Sequence, residues 1–310
     1  MSLVPSMSIV VAMASGLGLL SNLNVIALRF IKRNTATTFQ MLLGMLALND
    51  FVLSILFAFL APIMYRDYVW IYSSFACKLL FPSITTVSAV NVGTILLISY
   101  ERYRAIKHPF RPKLTFRRMI LTVLVVWIVS IFFAIPKIIA LELGEDGVCE
   151  EHWSNATFPK IYSAVLLVFV YLVPLIGIAT FHIIIVHKLK QTDGSRANYC
   201  ISQNFNANSV IICRRQRNMK IMKLLTVISM VFAVCILPTK IQYVIGDFAP
   251  DLFTEGVSNA LHVYQGLFYF HVVMNPVFYS LADKHFRKDM LQLLCCKLTE
   301  MGNSSFRVTK

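Results

Sequence analysis

Charged residues are scarce in this chain of 310 residues. Only 14% of its residues are Asp, Glu, Lys or Arg, against about 25% in an average soluble domain. In contrast, 57% are hydrophobic and the mean hydropathy is +0.68. This composition excludes an ordinary soluble domain and predicts a protein that crosses a membrane several times.

Seven apolar stretches reach the roughly 20 residues that a bilayer span requires. They lie near residues 4–29, 39–65, 74–101, 119–140, 160–187, 219–246 and 257–281. The first stretch has neither the basic n-region nor the small-residue cleavage site of a signal peptide, so we interpret it as a span. We therefore predict an all-α membrane protein, with a seven-transmembrane helix bundle over residues 1–282.

Two segments do not fit the spanning pattern. Residues 191–213 are polar and rich in Asn and Ser, which predicts a flexible cytoplasmic loop. The region 283–310 begins with a short amphipathic helix followed by a cytoplasmic tail. Its apolar face is expected to lie on the membrane, and it comprises Phe286, Met290, Leu291 and Leu294.

Basic residues predict the orientation of the bundle, because short loops rich in Lys and Arg stay in the cytoplasm. Segments after the first, third, fifth and seventh spans carry 24 of the 29 Lys and Arg residues. We therefore predict an outer N-terminus and a cytoplasmic C-terminus. The net charge of +14 is interpreted as attraction to anionic membrane lipid and a cytoplasmic partner rather than to nucleic acid.

Catalytic motifs are absent from the sequence. It contains no HExxH, no GxSxG and no phosphate-binding loop. His182 and His187 are five residues apart, whereas two metal ligands on one helix face are four apart. No repeat is visible, and an odd number of spans argues against a transporter with two equal halves. We predict no enzymatic activity.

Asp50 is an acid within an apolar span, where it is costly unless it faces polar partners. Its candidate partners lie at similar depth in other spans: Asn22, Asn91, His271 and Asn275. We interpret these residues as a functional polar cluster. The alternative is a set of hydrogen bonds that only hold helices together.

Cysteines and one sequon predict covalent modifications. Cys77 and Cys149 lie on the predicted outer side, where thiols can oxidise. A bridge between them would fasten the loop after the fourth span to the start of the third, the alternative being two free thiols. Cys295 and Cys296 follow the amphipathic helix, as S-palmitoylation requires. Asn155 begins an outer N-glycosylation sequon.

One landmark per span resembles the rhodopsin-like (class A) G-protein-coupled receptors, across essentially the whole chain. The landmarks are Asn22 in LLSNLNVIAL, Asp50 in LALND, Cys77 with Glu101-Arg102-Tyr103, Trp127, Pro174, Phe232 with Cys235 and Pro238, and Asn275-Pro276-Val277-Phe278-Tyr279. The resemblance implies a plasma-membrane receptor that opens its inner face to a heterotrimeric G protein, with Arg102 at the inner mouth. Arrestin is a further candidate partner, and membrane lipid surrounds the bundle.

The resemblance also narrows the ligand. Tyr269 stands where light receptors carry the retinal-binding lysine, so no cofactor is expected, and Ile84 stands where amine receptors carry an aspartate. The loop GVCEEHWSNATFP is similar to that of neuropeptide receptors of the neuropeptide Y, neuropeptide FF and tachykinin types. Ligand binding is assigned to Thr85, Ser88, Glu150, Glu151, Thr239, Lys240, Tyr243, Gln265 and Tyr269.

Charge indicates a cationic peptide ligand. Nine acids lie on the outer side, against Arg66, Lys78, Lys137 and Lys160, and an acidic mouth attracts cations. We expect Glu150 and Glu151 to lie over the entrance, and Lys240 to receive a carbonyl or carboxylate of the peptide. The alternatives are an orphan or chemosensory receptor with constitutive activity on the same fold, and, from a different class, a channel or transporter.

Several positions depart from the family pattern in the activation machinery, which is assigned to Glu101, Arg102, Tyr103, Phe232, Ile236, Pro238, Asn275, Pro276 and Tyr279. Ile236 replaces a tryptophan and His182 replaces a tyrosine. Asn91 and His271 replace residues that help Asp50 hold sodium, so a sodium site is in doubt. Asn218 is not an acid, which leaves Glu101 as the only expected restraint on Arg102 and predicts basal activity.

Overall fold

All seven predicted spans are helical in a computed structural model, which describes residues 3–31, 37–108, 115–197, 205–252, 254–282 and 284–294. The helices are α1 (Leu3–Ile31), α2 (Thr38–Tyr65), α3 (Ser74–Lys107), α4 (Phe116–Ala140), α5 (Thr157–Val165), α6 (Val173–Ala197), α7 (Phe205–Phe248), α8 (Glu255–Ala282) and α9 (Lys284–Leu294). A π-helical segment, Leu166–Leu172, joins α5 to α6 in one span. Six spans are long and apolar enough to cross a membrane, and α8, with 28 residues, completes the predicted seven-helix bundle.

Local sequence signals set the starts of three helices. Thr37 forms a capping box with Gln40, in which its side chain accepts from the Gln40 N–H and Gln40 accepts from the Thr37 N–H. Ser73 caps α3 and Thr115 caps α4 in the same manner, each through a hydroxyl that accepts a backbone N–H. These caps satisfy donors that would otherwise remain unpaired at the helix ends.

Pro174 accounts for the π-helical segment. Proline has no N–H, and its ring crowds the carbonyl four residues earlier. The preceding turn widens, so that the Val173 N–H donates to the Val168 carbonyl, five residues back. This wide turn places Leu166, Val170 and Tyr171 against the interior of the bundle.

Small residues allow the helices to approach closely. A Cβ at Gly18 of α1 would lie 2.3 Å from Ser54 Oγ of α2, and one at Gly93 of α3 would lie 2.5 Å from a Val126 methyl of α4. The central helix α3 packs against α2, α4, α6 and residues 141–143, while α8 packs against α1 and α7. Most buried apolar residues therefore form one cluster through the bundle, and a smaller second cluster contains Ala89, Tyr162, Leu166 and Val170.

A hairpin covers one end of the bundle, which we call the hairpin end. Strand β1 (Leu141–Leu143) pairs antiparallel with β2 (Cys149–Glu151). Its turn uses Gly147 at φ +77°, a conformation that glycine adopts readily. The predicted disulfide between Cys77 and Cys149 is present, with Cα atoms 5.8 Å apart. It fastens the hairpin to the start of α3.

The opposite end, which carries Arg102, is called the arginine end, and helices there extend beyond the predicted spans. Helix α3 continues to Lys107, so Arg102 lies within it. The loop predicted over 191–213 is helical over 191–197 and 205–213, because a nucleated helix gains one hydrogen bond per added residue. Residues 198–204 lie outside the described residues.

The predicted amphipathic helix is present as α9, but its apolar residues do not share one environment. Phe286 and Met290 are buried, and the Phe286 ring lies 5.9 Å from the ring of Tyr279. Leu291 is 56% exposed. Sequence reasoning placed all of these on the membrane, whereas the bundle itself covers the first two. The side chain of Leu294 lies outside the described part.

Candidate functional site

A cavity of about 420 Å³ lies among the spans, towards the hairpin end. It contains most of the ligand-binding residues predicted from the sequence: Thr85 and Ser88 on α3, Thr239, Lys240 and Tyr243 on α7, and Gln265 and Tyr269 on α8. Glu150 and Glu151 do not line it. The structure thus brings the predicted deep residues together and leaves the two hairpin acids outside.

One face of α7 forms a continuous stripe along the cavity. Ile236, Lys240, Tyr243 and Asp247 follow helical spacing and all line the cavity. Sequence reasoning treated Asp247 only as one of the outer acids. Its position seven residues after Lys240 was the signal that both belong to the same helix face. Among the described residues, Asp247 is the only acid that lines the cavity.

Lys137 was counted among the cations of the outer loops, but it belongs to a helix and is buried. It lies in the last turn of α4 and is only 3% exposed. Its Nζ is 2.8 Å from Glu151 Oε1 and donates a hydrogen bond to the Tyr243 hydroxyl. Lysines near span ends usually reach out to the membrane interface. Instead, Lys137 joins α4, the hairpin and α7.

Strand alternation separates the two hairpin acids. Glu151 turns inward, where it pairs with Lys137 and its Oε2 accepts from Trp153 Nε1 at 3.0 Å. Glu150 is exposed and pairs in register with Glu142. The two acids that we expected over the entrance therefore differ in environment: Glu151 is engaged in an ion pair, and Glu150 faces outward.

Aromatic and apolar side chains complete the cavity wall. Phe268 and Tyr269 pack edge-on against the buried ring of Phe57, with centroids 5.5 and 5.0 Å away. Sequence reasoning missed the apolar lining, because an apolar residue in a span looks the same whether it faces lipid or a cavity. The apolar lining residues that it did not name are Leu60, Phe81, Ala89, Val92, Leu166, Val170, Tyr171 and Phe268.

Tyr68 enters the cavity from the connection between α2 and α3. Asp67 and Tyr68 adopt positive φ angles of 53° and 65°, an uncommon conformation for residues other than glycine. This tight turn directs the chain towards the hairpin. Burial, with Tyr243 nearby, raises the pKa of Tyr68 to about 12. Its hydroxyl therefore stays protonated at neutral pH and is a hydrogen-bond donor for a ligand.

Fewer residues are hydrogen-bonded to Asp50 than predicted. Asp50 is fully buried, and its two oxygens accept hydrogen bonds from Asn91 Nδ2 and Asn275 Nδ2, both at 2.7 Å. Asn22 instead donates to the carbonyls of Gly18 and Val272. His271 bonds to the Phe268 carbonyl and packs edge-on against Phe232 at 5.4 Å.

The same geometry bears on the sodium that the family pattern implies. The groups bound to the Asp50 carboxylate are amide N–H donors, and donors do not coordinate a cation. The imidazole of His271 replaces a hydroxyl or amide oxygen. Both carboxylate oxygens of Asp50 are therefore hydrogen-bonded, while Asn91 Oδ1 is buried and has no hydrogen-bond partner among the described residues.

At the arginine end, Arg102 has two restraints rather than one. Its Nη2 is 2.6 Å from Glu101 Oε2, as expected. In addition, its guanidinium lies 4.1 Å from the ring centroid of Phe39, a buried residue in the first turn of α2. The expectation that Glu101 acts alone was wrong. Sequence patterns do not show a contact between residues so far apart along the chain.

His182, which replaces the family's usual tyrosine, bridges three spans. Its imidazole lies 3.1 Å from Ser99 Oγ of α3 and 3.4 Å from Thr226 Oγ1 of α7. Among the other predicted activation residues, Ile236 and Tyr279 are buried. Tyr103 packs against Phe181, with ring centroids 5.1 Å apart. Pro238 and Pro276 lie inside α7 and α8.

Comparison with known proteins identifies the fold. The family model described as "7 transmembrane receptor (rhodopsin family)" matches residues 21–279. A QRFP-like peptide receptor of Branchiostoma floridae is 28% identical over 299 residues, covering 92% of this chain and 76% of the relative. Neuropeptide receptor 22 of Caenorhabditis elegans is 28% identical over 312 residues, covering 91% and 70%.

A third relative is the pyroglutamylated RF-amide peptide receptor of Rattus norvegicus. It is 24% identical over 282 residues, which cover 84% of this chain and 63% of the rat receptor. The family match spans most of the chain and agrees with the seven-helix bundle, the hairpin disulfide and the buried Asp50. This chain therefore belongs to the rhodopsin family of seven-transmembrane receptors, and it is a G-protein-coupled receptor rather than an enzyme.

Proposed function

We propose that this receptor is activated by a cationic peptide that binds in the cavity at the hairpin end. The observation that carries the proposal is the placement of Asp247, a carboxylate at the outer end of the α7 stripe, in a cavity whose lining is otherwise mainly aromatic and apolar. A carboxylate on such a wall can bind an ammonium or guanidinium group of a ligand. The relatives are named as receptors for peptides, which supports this ligand class.

Charge on the hairpin supports the same ligand. Four carboxylates on it are exposed: Glu142, Glu145, Asp146 and Glu150. No Lys or Arg lies between residues 141 and 151. A surface of one sign raises the association rate of a ligand of the opposite sign. We infer that the hairpin attracts the peptide and that Asp247 binds its cationic side chain.

The proposed mechanism couples this cavity to the arginine end through α7. A ligand shifts the equilibrium between two bundle states only by its different affinity for them. Contacts with the α7 stripe are suited to this, because Pro238 lies between Ile236 and Lys240 of the stripe, where it interrupts the helix hydrogen bonds and permits a bend. Movement of α7 would open the arginine end of the bundle to the G protein.

Several further assignments belong to this proposal. The hairpin end and the N-terminus face outward, the receptor lies in the plasma membrane, and Asn155, which is exposed, carries a glycan. Residues 283–310 form an amphipathic helix and cytoplasmic tail in contact with lipid, with arrestin as a second partner. The palmitoylation sites Cys295 and Cys296 lie outside the described residues.

A peptide screen tests the proposal. Cells that display the receptor are exposed to a library of arginine-containing peptides, and G-protein nucleotide exchange is measured. Active peptides should lose potency by about tenfold or more on Asp247→Asn, since a charged hydrogen bond is removed, while Asp251→Asn serves as control. The proposal would be contradicted if the receptor is activated only by neutral small molecules, or if it conducts ions without nucleotide exchange.

The alternative of a constitutively active orphan receptor is favoured by Ile236 and Asn218, which lack the usual restraining groups. Measurement of nucleotide exchange by the unliganded receptor separates the two functions. An orphan of this kind would show high basal exchange that no peptide raises. The proposed peptide receptor would show exchange that increases with peptide concentration and saturates.

A further inference from the structure

Lys240 occupies an unusual electrostatic position in the cavity. It lies in the middle of the α7 stripe, and within the described residues it has neither an acidic partner nor a hydrogen bond. The neighbouring Thr239 Oγ1 is buried and also lacks a hydrogen-bond partner there. Lys137 lines the same cavity. A buried hydroxyl without a hydrogen-bond partner and an ammonium without an acidic partner are therefore adjacent in one wall.

The two lysines that line the cavity, Lys137 and Lys240, differ in whether they can pair with an anion of the ligand. Lys137 is held by Glu151 and Tyr243, so its charge is already balanced. The charge of Lys240 is not. An ammonium in a mainly apolar wall is less well solvated than one in bulk water, and an anion that pairs with it offsets this loss. A ligand anion would gain more at Lys240 than at Lys137, where it would have to displace a carboxylate.

Distances along α7 limit the shape of such a ligand. Lys240 and Asp247 are seven residues apart on one helix face, which corresponds to about 10 Å along the axis. An extended peptide advances about 3.3 to 3.6 Å per residue. A ligand that contacts both residues would therefore carry its anionic and cationic groups about three residues apart, with the anionic group deeper in the bundle.

We propose that Lys240, with Thr239 beside it, is a subsite for a carboxylate of the peptide agonist, supplied by a free C-terminus or by an acidic side chain about three residues from the cationic one. This inference rests on the proposed peptide function and deepens it. One relative is named as a receptor for an RF-amide peptide. An amidated C-terminus is neutral, whereas the proposed subsite binds a carboxylate. The charge at Lys240 thus sets the chemical class of the ligand.

Matched peptide pairs provide the test. Arginine-containing hexapeptides are synthesised with either a free C-terminal carboxylate or an amide, and, in a second series, with Glu or Gln three residues from the arginine. Nucleotide exchange is measured on the wild-type receptor and on Lys240→Gln. Lys78→Gln, a cation at the hairpin end that does not line the cavity, is the matched control.

The ratio of potencies within each pair is the decisive quantity, because it does not change with expression or with a general loss of stability. We expect the carboxylate member to be more potent on the wild type by about tenfold to a hundredfold. This preference should disappear on Lys240→Gln and persist on Lys78→Gln. The series that shows the preference identifies whether the C-terminus or the side chain supplies the anion.

Two results would overturn the inference. Equal potency of both members on the wild type means that no anion is recognised, and a preference that persists on Lys240→Gln means that another residue recognises it. In either case activation by the peptides would leave the proposed function intact. Failure of every peptide to activate or bind a surface-expressed receptor would instead refute the peptide function itself.

Discussion

The guanidinium of Arg102 lies 4.1 Å from the ring centroid of Phe39, so that an aromatic residue of α2 holds the arginine of α3. Phe39 is buried, and the Arg102 side chain is only 16% exposed. A cation over an aromatic face in such a partly desolvated place contributes about 0.5 to 2 kcal/mol. This contact stabilises the arrangement in which Arg102 is turned towards Glu101 rather than towards a partner.

Replacing Phe39 should therefore raise basal activity. On Phe39→Leu, which keeps an apolar side chain, we expect nucleotide exchange by the unliganded receptor to rise about 2- to 30-fold, provided that the active state remains minor. Phe39→Tyr keeps the ring and should stay close to wild type. The assay uses purified receptor and G protein at matched concentrations. Equal basal rates in both variants would show that the ring does not restrain Arg102.

Arg102→Ala should abolish nucleotide exchange while ligand binding survives. Arg102 lies fourteen residues beyond Ser88 on α3, which corresponds to about 21 Å along the helix, so it cannot contact a ligand in the cavity. Arg117→Ala, an exposed cation at the same end, is the control. Binding and exchange are measured on the same membranes. Full signalling by Arg102→Ala at normal surface expression would contradict the assigned role.

Asn218 gives a third prediction, since it stands where some family members carry an acid that restrains the arginine. Asn218→Glu should lower basal exchange, because a new carboxylate can pair with Arg102. A gain of about 1.4 kcal/mol would lower the active fraction about tenfold. Asn218→Gln adds length without charge and should have little effect. If the unliganded wild type shows no more basal exchange than a relative without basal activity, at matched expression, the prediction of basal activity is contradicted.

The bundle itself was predictable because the bilayer imposes a length and an apolarity on each span. All seven helices follow the predicted stretches, and the α7 stripe follows from helical spacing once one member is placed. Features that depend on contacts between distant helices were not predictable. Phe39 and Lys137 are examples, since each acts through a residue elsewhere in the chain.

The polar residues show the same limit. Asp50 was identified from its cost in an apolar span, but which amides bind it depends on the rotation of each helix. Asn91 and Asn275 face it, whereas Asn22 turns to the backbone of α8. The sequence showed that the hairpin is acidic. It did not show that strand alternation turns Glu151 inward and Glu150 outward.

The ion pair between Lys137 and Glu151 predicts that the two adjacent hairpin acids have different effects on stability. Glu151→Gln leaves a buried ammonium without its carboxylate, and breaking a fully buried pair in this way costs about 3 to 5 kcal/mol. Glu151 is 24% exposed, so we expect a smaller loss, visible as a lower thermal midpoint of the purified receptor. Glu150→Gln removes an exposed charge and should leave the midpoint unchanged.

The same two positions should also differ in ligand kinetics. Glu150→Lys should slow the association of a cationic peptide, with a smaller effect at high salt, while the thermal midpoint stays the same. Glu151→Lys should lower both the association rate and the midpoint, because it places two ammonium groups together. Lys137→Met combined with Glu151→Gln should recover part of the midpoint, since no charge is left unpaired. Equal midpoints for Glu150→Gln and Glu151→Gln would show that the ion pair does not stabilise the hairpin end.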